Sequence, residues 1–340
     1  MPILVDLDVS QNMLSVPGTI SASPMTQDSI SASTNAASGN TIASGMTSLV
    51  LWYGSTDISS NPDLYKAQLD KLGKSIDARI SSGATSRLGN VNSDSGIDER
   101  ASGLIINTAG WIEDIGYELL LHAADALRVN VILVMGHDRL YSMLRSHFSK
   151  VDSSENETAN SSSSIGKMSP KVIKLPRSGG VVSRDTVHRR ISRSLCTKRY
   201  FNGNMIRNAS GKNSDVLVNQ YTPTLLELNF SDLNLYKLSS VTLAASMLPV
   251  SAKQATDPVQ LKLVEIGPAL KHGILAVCHP SAVAAYKESG RESDLYLSGV
   301  AGFVAVEKVN VDREILSLLS PCAGALPSNT LLVGDIVWME

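Results

Sequence analysis

The sequence predicts an α/β fold in which a parallel sheet is flanked by helices, followed by a small all-β domain. Up to about residue 218, short apolar runs alternate with stretches whose apolar residues recur at helical spacing. This alternation is typical of parallel strands joined by helices. After Asn219 apolar residues alternate with polar ones, as at Leu226, Leu228 and Phe230, which indicates strands that bury one face.

Composition sets limits on the class of protein. A chain of 340 residues is long enough for two domains with hydrophobic cores. Its net charge of −2 gives no overall electrostatic argument for nucleic-acid binding. Three widely spaced cysteines predict neither a disulfide framework nor a metal site. No apolar run reaches the roughly 18 residues of a membrane helix, so we expect a soluble intracellular protein.

The first predicted strand runs into a turn that contains Asp6 and Asp8. Ile3 to Leu7 reads as a buried strand, and Leu49 to Tyr53 as the next one. A helix is expected to begin at Asn61 and Pro62, because Asn caps helices and Pro suits the first turn. Further strands are predicted at residues 103–107, 129–135 and 172–175, with helices over 116–128 and through Leu140, Leu144 and Phe148.

Three stretches are too poor in large apolar residues to contribute much to a core. They lie at about residues 21–48, 81–98 and 149–169, and we expect them to be disordered insertions. In the C-terminal part, strands are predicted at 261–266, 274–279, 300–309, 314–319 and 331–339. Asn310-Val311-Asp312-Arg313 is expected to turn the chain between two of them.

Asp8 follows the first strand, where the ends of parallel strands in α/β sheets form ligand sites. In folds that handle phosphate, an Asp at this place holds Mg²⁺. The alternative is that Asp8 only caps a turn or a helix. An acid pair, Asp6 and Asp8, together with Gln11 and the Pro17-Gly18 turn, favours a site.

These residues also carry a resemblance. Asp6-x-Asp8-x-x-Gln11, followed by Val16-Pro17-Gly18-Thr19, resembles the Walker B region of the polyribonucleotide 5′-hydroxyl kinase family. The similarity is closest to the branch of Clp subunits of the pre-mRNA 3′-end cleavage and polyadenylation machinery, whose C-terminal domain resembles residues 299–304 and 318–336. The family usually has Gly where Ser10 stands. The resemblance implies a P-loop kinase-like domain at residues 1–218 and a C-terminal β domain at residues 219–340.

The resemblance further implies a phosphate-binding loop, G-x-x-x-x-G-K-[ST], before the Walker B strand. The printed sequence begins at that strand, and Gly211-Lys212-Asn213 is only a poor match. We therefore expect an incomplete P-loop NTPase-type sheet without its first strand, its P-loop and the small N-terminal domain of the family. A truncated gene model and a shortened, inactive protein both explain this, and an in-frame loop motif in the upstream DNA would distinguish them.

Site residues follow from the same resemblance. Thr108-x-Gly110-Trp111 matches the RNA clasp of the family, in which Trp stacks on bases, and Gln11 is grouped with it as RNA-binding. From the residues alone, Trp111 packing in the core is the alternative. Gly179 and Gly180 match a loop near the nucleotide base. The catalytic residues implied are Asp8, which would also hold the metal, together with Arg193 and Lys198 of a basic lid.

The lid lies in a strongly basic segment. Residues 171–212 contain eleven Lys and Arg against one acid, Asp185. Such a segment is often a solvated helix face, but this excess suits a surface that faces phosphates. Lys198 stands where the family usually has a second Arg, and Cys196 replaces a commonly basic position. Because Lys cannot form the planar bidentate contact of Arg, these changes argue against efficient phosphate transfer.

The functional expectation is a nuclear subunit of the cleavage and polyadenylation factor that binds ATP, associates with RNA and contacts other subunits of that factor. ATP and Mg²⁺ are the cofactors implied for a complete family member. One alternative is an active ATP-dependent RNA 5′-hydroxyl kinase, and another is an inactive interaction module. Whether the chain is an enzyme is left open by its sequence.

Overall fold

The computed structural model describes residues 2–25, 48–86, 102–157, 169–203, 205–208, 216–219, 221–240 and 259–339. By its internal contacts the chain divides into two units, one of residues 1–110 with 186–340 and one of residues 111–185. The domain boundary expected near residue 218 stays a prediction. Among the described residues, no helix combines the length and the apolar character needed to cross a membrane.

Strands and helices of the described residues are numbered in chain order. The strands are β1 Ile3–Asp6, β2 Thr19–Pro24, β3 Leu49–Trp52, β4 Leu104–Asn107, β5 Val131–Met135, β6 Lys171–Leu175, β7 Met205–Asn208, β8 Val216–Asn219, β9 Thr224–Asn229, β10 Asn234–Ser240, β11 Val259–Leu263, β12 Gly273–Cys278, β13 Val300–Asn310, β14 Ile315–Ser320 and β15 Thr330–Val337. The α-helices are α1 Pro62–Ser86, α2 Ile115–Ala126, α3 Asp138–Glu157, α4 Thr186–Asn202, α5 Pro280–Ser289 and α6 Ser293–Tyr296.

A four-stranded sheet contains β1, which ends at Asp6 and is followed by Asp8. Its strand order is β3-β2-β1-β4, in which β1 and β4 are parallel and the other pairs antiparallel. The register places Asp6 opposite Asn107, so both strands end at the same edge of the sheet. Helix α1 begins where the sequence predicts, because Asn61 Oδ1 accepts a hydrogen bond from Leu64 N at 3.1 Å.

Strand β2 corrects the expectation for the first insertion. Residues 21–24 belong to this strand and are buried. Ser21, Ala22 and Ser23 are small, and Ser21 Oγ accepts a hydrogen bond from Asn12 Nδ2 at 3.1 Å. A central strand can therefore form from small side chains without large apolar residues. Residues 81–86 and 149–157 likewise extend α1 and α3, and the rest of the expected insertions lies outside the described residues.

The C-terminal region forms a seven-stranded sheet of order β11-β10-β15-β12-β13-β14-β9. All of its pairs are antiparallel except β10 with β15. The predicted mixed α/β architecture with a C-terminal β sheet is confirmed. Helices α5 and α6 interrupt this region and are not predicted by the alternating pattern.

One hydrophobic cluster of the first unit joins the C-terminal sheet to earlier elements. Phe201 of α4 stacks on Trp338, with ring centroids 5.1 Å apart and an interplanar angle of 8°. Trp52 of β3 lies 5.5 Å from Phe303 of β13 in the same cluster. Aromatic burial of this kind anchors α4 at its C-terminal end.

The second unit contains α2, α3 and the parallel strand pair β5 and β6. On α2, Leu119 and Ala123 are buried one helical turn apart, as the apolar spacing predicts. The unit therefore repeats on a small scale the strand and helix alternation expected from the sequence.

Candidate functional site

Asp6 is the most enclosed carboxylate near the predicted site. Its side chain is fully buried at the end of β1. It accepts hydrogen bonds from Met13 N at 2.6 Å, Asn107 Nδ2 at 2.9 Å and Asp8 N at 3.1 Å. Burial raises the pKa of Asp6 above its usual value, while hydrogen bonds from Met13, Asn107 and Asp8 act in the opposite direction. The carboxylate thus joins β1, β4 and the loop that follows β1.

Asp8 lies near the start of the Asp8 loop, which we define as residues 7–18. Its Oδ1 accepts hydrogen bonds from Ser10 N at 2.9 Å and Gln11 N at 3.3 Å. This is the turn-capping role that the sequence left as the alternative. Among the described residues, no hydrogen-bond donor reaches Oδ2, so that oxygen remains available to a ligand. The two roles of Asp8 are therefore compatible.

Ser10 stands where the family resemblance leads us to expect glycine. It is not one of the non-glycine residues with positive φ, so its backbone does not require a residue without a side chain. Gly18 differs in this respect, because its φ is 81° and an added Cβ would lie 2.8 Å from Ile336 Cδ1. The end of the loop depends on glycine, and its start does not.

Asn12 holds the middle of the Asp8 loop. The side chain is 3% exposed. Its Oδ1 accepts hydrogen bonds from Leu14 N at 2.8 Å and Ser15 N at 2.9 Å, and its Nδ2 donates to Thr19 O at 2.9 Å. A buried amide with this many partners fixes the loop conformation. Sequence reasoning did not single out Asn12, although Asn in a turn is a recognisable signal.

Helix α4 lies against the Asp8 loop at two points. Gln11 Nε2 donates to the carbonyl oxygen of Arg189 at 3.1 Å. Seven residues along the helix, the Cys196 thiol donates to the carbonyl oxygen of Ser15 at 3.1 Å. Arg193 lies between these contacts on the same helix face by its spacing, and it is half-buried. Asp8, Gln11 and Arg193 are thus brought into one region.

Lys198 occupies a different face of α4. Seven residues separate it from Ile191, so the two share a face, and Ile191 is 52% exposed. Lys198 is itself half-buried. The structure therefore does not place Lys198 with Arg193 along the contact with the Asp8 loop, and its role in catalysis stays a prediction.

The residues of the predicted RNA clasp are divided along the sequence between the two units. Thr108 and Gly110 follow β4 in the first unit and are exposed. Trp111 is the first residue of the second unit and is half-buried. A Cβ added to Gly116, at the first turn of α2, would lie 2.7 Å from Trp111 Cδ2. The indole therefore packs against a glycine that sequence reasoning did not single out.

Gly179 and Gly180 follow β6 in the second unit and are exposed. Neither has a positive φ. A Cβ added to Gly179 would meet no atom within 4 Å, and one added to Gly180 would meet only Ser178 Oγ, at 3.9 Å. The local conformation does not require glycine here, and the assignment of these residues to the nucleotide base stays a prediction.

Mg²⁺ and ATP fit the described residues unequally. The available Oδ2 of Asp8 suits Mg²⁺, which prefers oxygen ligands. Among the described residues, no group of three or more His, Cys, Asp or Glu side chains is placed to hold a metal.

A triphosphate needs successive free backbone N–H groups and a Lys. Gly73-Lys74-Ser75 matches the end of that motif but lies within α1, and residues 211–213 lie outside the described residues. The described residues do not by themselves fit a triphosphate.

Two family models cover most of the chain. The model for the P-loop region of mRNA cleavage and polyadenylation factor CLP1 matches residues 1–203, and that for pre-mRNA cleavage complex II protein Clp1 matches residues 221–340. The chain belongs to the Clp1 family. The family resemblance inferred from the Walker B region and the C-terminal motifs is thereby confirmed.

Clp1 relatives match the whole chain. The Protein CLP1 homolog of Dictyostelium discoideum is 33% identical, and the chain covers 61% of that protein. The polyribonucleotide 5′-hydroxyl-kinase Clp1 of Danio rerio is 31% identical, with 64% of it covered. The chain thus spans less than two thirds of the length of these relatives.

A solved Clp1 structure has the same fold. That structure shows an extended interface between Pcf11p and Clp1p and the structural basis for ATP loss in a point mutant. Its TM-score to this chain is 0.68 at 22% identity, and the comparison covers 100% of this chain and 68% of that one. At this identity the likeness supports the fold alone.

Proposed function

We propose that this chain acts as an assembly subunit in pre-mRNA 3′-end cleavage and polyadenylation, in the nucleus, where it associates with RNA and with a Pcf11-type subunit. Membership of the Clp1 family supports the process. The solved complex of a Clp1p relative with Pcf11p supports the type of partner. ATP and Mg²⁺ belong to this proposal only together with a phosphate-binding loop, because the described residues do not supply one.

The contact between α4 and the Asp8 loop is the observation that carries an assembly role. In a kinase, a basic lid must move over the reacting phosphate and release the product. Here Cys196 stands at a commonly basic position of the lid and donates its thiol proton to Ser15 O. Gln11 adds a second hydrogen bond to the helix backbone. These two contacts hold the helix in place, and Cys196 provides no positive charge where a basic residue is common. Both effects favour a fixed scaffold over turnover.

RNA association depends in this proposal on Trp111. Base stacking on an aromatic side chain contributes about 1–3 kcal/mol, and Trp111 is half-buried rather than fully enclosed. Trp111→Ala should weaken binding of single-stranded RNA by about fivefold to 150-fold in a filter-binding titration. The same affinity in both proteins would assign Trp111 to packing alone.

RNA 5′-hydroxyl kinase activity is the second candidate, and the free Oδ2 of Asp8 favours it. In that case Asp8 would hold Mg²⁺ and orient the attacking hydroxyl, while Arg193 would stabilise charge on the transferring phosphoryl group. Transfer of phosphate from ATP to 5′-hydroxyl RNA would decide between the two functions. The assembly role predicts no transfer, and transfer that Asp8→Asn abolishes would replace it with the enzyme.

A further inference from the structure

Trp111 differs from the other two tryptophans of the chain. Trp52 is fully buried and Trp338 is 7% exposed, whereas Trp111 is half-buried. A Cβ added to Gly116 would lie 2.8 Å from Trp111 Cγ, 2.7 Å from Cδ2 and 2.7 Å from the carbonyl oxygen of Trp111. The five-membered ring of the indole and the backbone of Trp111 thus both rest directly on the backbone of Gly116.

The backbone between the two residues enforces this contact. Gly116 N donates a hydrogen bond to Glu113 O at 2.8 Å. Asp114, inside that turn, has φ 47° and ψ −119°, a conformation that non-glycine residues rarely adopt. The strained turn folds the chain back, so that Trp111 lies over the first turn of α2.

Glycine at position 116 is not explained by its own backbone. Gly116 has no positive φ, and alanine is the more favourable residue within a helix. Gly116 is also buried, so a position on the protein surface does not explain the glycine. The requirement for glycine comes from Trp111, because a methyl group would occupy the position of its ring and would lie too close to its carbonyl oxygen.

We infer that Gly116 is a positioning residue for RNA binding: it provides the surface on which the indole of Trp111 is held, so that the accessible part of the ring can stack on a base. This inference rests on the proposed RNA role of Trp111. The ligand class is single-stranded RNA, since only an unpaired base can stack on a side chain at its full face.

Gly116→Ala tests the inference by two measurements. Because Trp52 and Trp338 are buried, acrylamide quenching of tryptophan fluorescence reports mainly on Trp111. The variant should increase quenching, since the methyl group displaces the ring, and should weaken binding of a short oligouridylate by about fivefold or more. Gly267→Ala is the matched control. Its added Cβ meets no atom within 4 Å and its φ is −149°, so neither measurement should change.

A double variant separates positioning from an unrelated effect on folding. In Trp111→Ala the ring is absent, so adding Gly116→Ala should cause no further loss of affinity, whereas any strain against the carbonyl oxygen of residue 111 is present in both backgrounds. Equal losses in both backgrounds, or unchanged quenching in Gly116→Ala, would overturn the inference. Increased quenching with unchanged affinity would overturn its RNA part. If the unaltered chain binds no oligouridylate, the proposed RNA role fails, while the quenching comparison still decides whether Gly116 holds the ring.

Discussion

The buried Asp6 fixes the backbone of Asp8, the residue that the sequence motif identifies. Asp8 matches a recognisable motif, yet its backbone N–H is held by Asp6 Oδ1. The same oxygen accepts the hydrogen bond from Asn107 Nδ2. These contacts fix the start of the Asp8 loop relative to β4. A carboxylate without access to water needs such donors, because an unpaired buried charge is costly.

Asn107→Ala should destabilise the protein in a pH-dependent way. The Asn107 amide donates to the charged form of Asp6, so its loss raises the pKa of Asp6 further above the usual value. The destabilisation should therefore be small at acid pH, where Asp6 is protonated. It should grow to about 1–3 kcal/mol as the pH rises through the Asp6 pKa. Urea unfolding at several pH values measures it.

The chain offers a matched control for that measurement. Asn229 Nδ2 donates to Asp232 Oδ2 at 3.2 Å in an exposed pair. Asn229→Ala should change the free energy of unfolding by less than about 0.5 kcal/mol at each pH. A pH-independent effect of Asn107→Ala, or one as small as that of the control, would contradict the assigned role of Asp6.

At the scale of elements, α4 and the Asp8 loop form one arrangement. The helix is anchored by Phe201 at one end, and by Gln11 and Cys196 along its length. Its opposite face carries exposed apolar side chains at Val187, Ile191 and Leu195. The basic composition of this segment predicts a charged surface, but composition alone cannot predict which face contacts a loop far away in the sequence.

Removing both side-chain contacts should loosen α4. In the double variant Gln11→Ala and Cys196→Ala, amide hydrogen exchange within residues 186–196 should accelerate about tenfold. Each lost hydrogen bond contributes about 0.5–1.5 kcal/mol, and local opening governs exchange. Cys322→Ala is a suitable control because Cys322 is an exposed cysteine. Exchange as slow as in the unaltered chain would mean that the helix is held by its aromatic anchor alone.

For the whole molecule, the sequence predicts elements better than it predicts contacts. The alternating pattern correctly identifies the C-terminal sheet, because one buried face leaves a period of two in the sequence. Strand β2 escapes prediction because Ser and Ala in a central strand resemble the composition of a loop. Asn107 reaches Asp6 across 101 residues, and Gly116 is required by the close contact with Trp111. Neither contact leaves a local pattern in the sequence. Asp8, Gln11 and Arg193, by contrast, belong to family motifs and lie in one region.

The interaction with a Pcf11-type subunit tests the proposed assembly role most directly. Sedimentation velocity of the 340-residue chain, mixed with the Pcf11 homologue of the same organism, measures complex formation without requiring any chemistry. The account predicts a stable complex that forms equally well with Asp8→Asn, together with no phosphate transfer by the chain. If the two proteins sediment separately at all concentrations while the chain phosphorylates 5′-hydroxyl RNA, the assembly role is wrong and the chain is an enzyme.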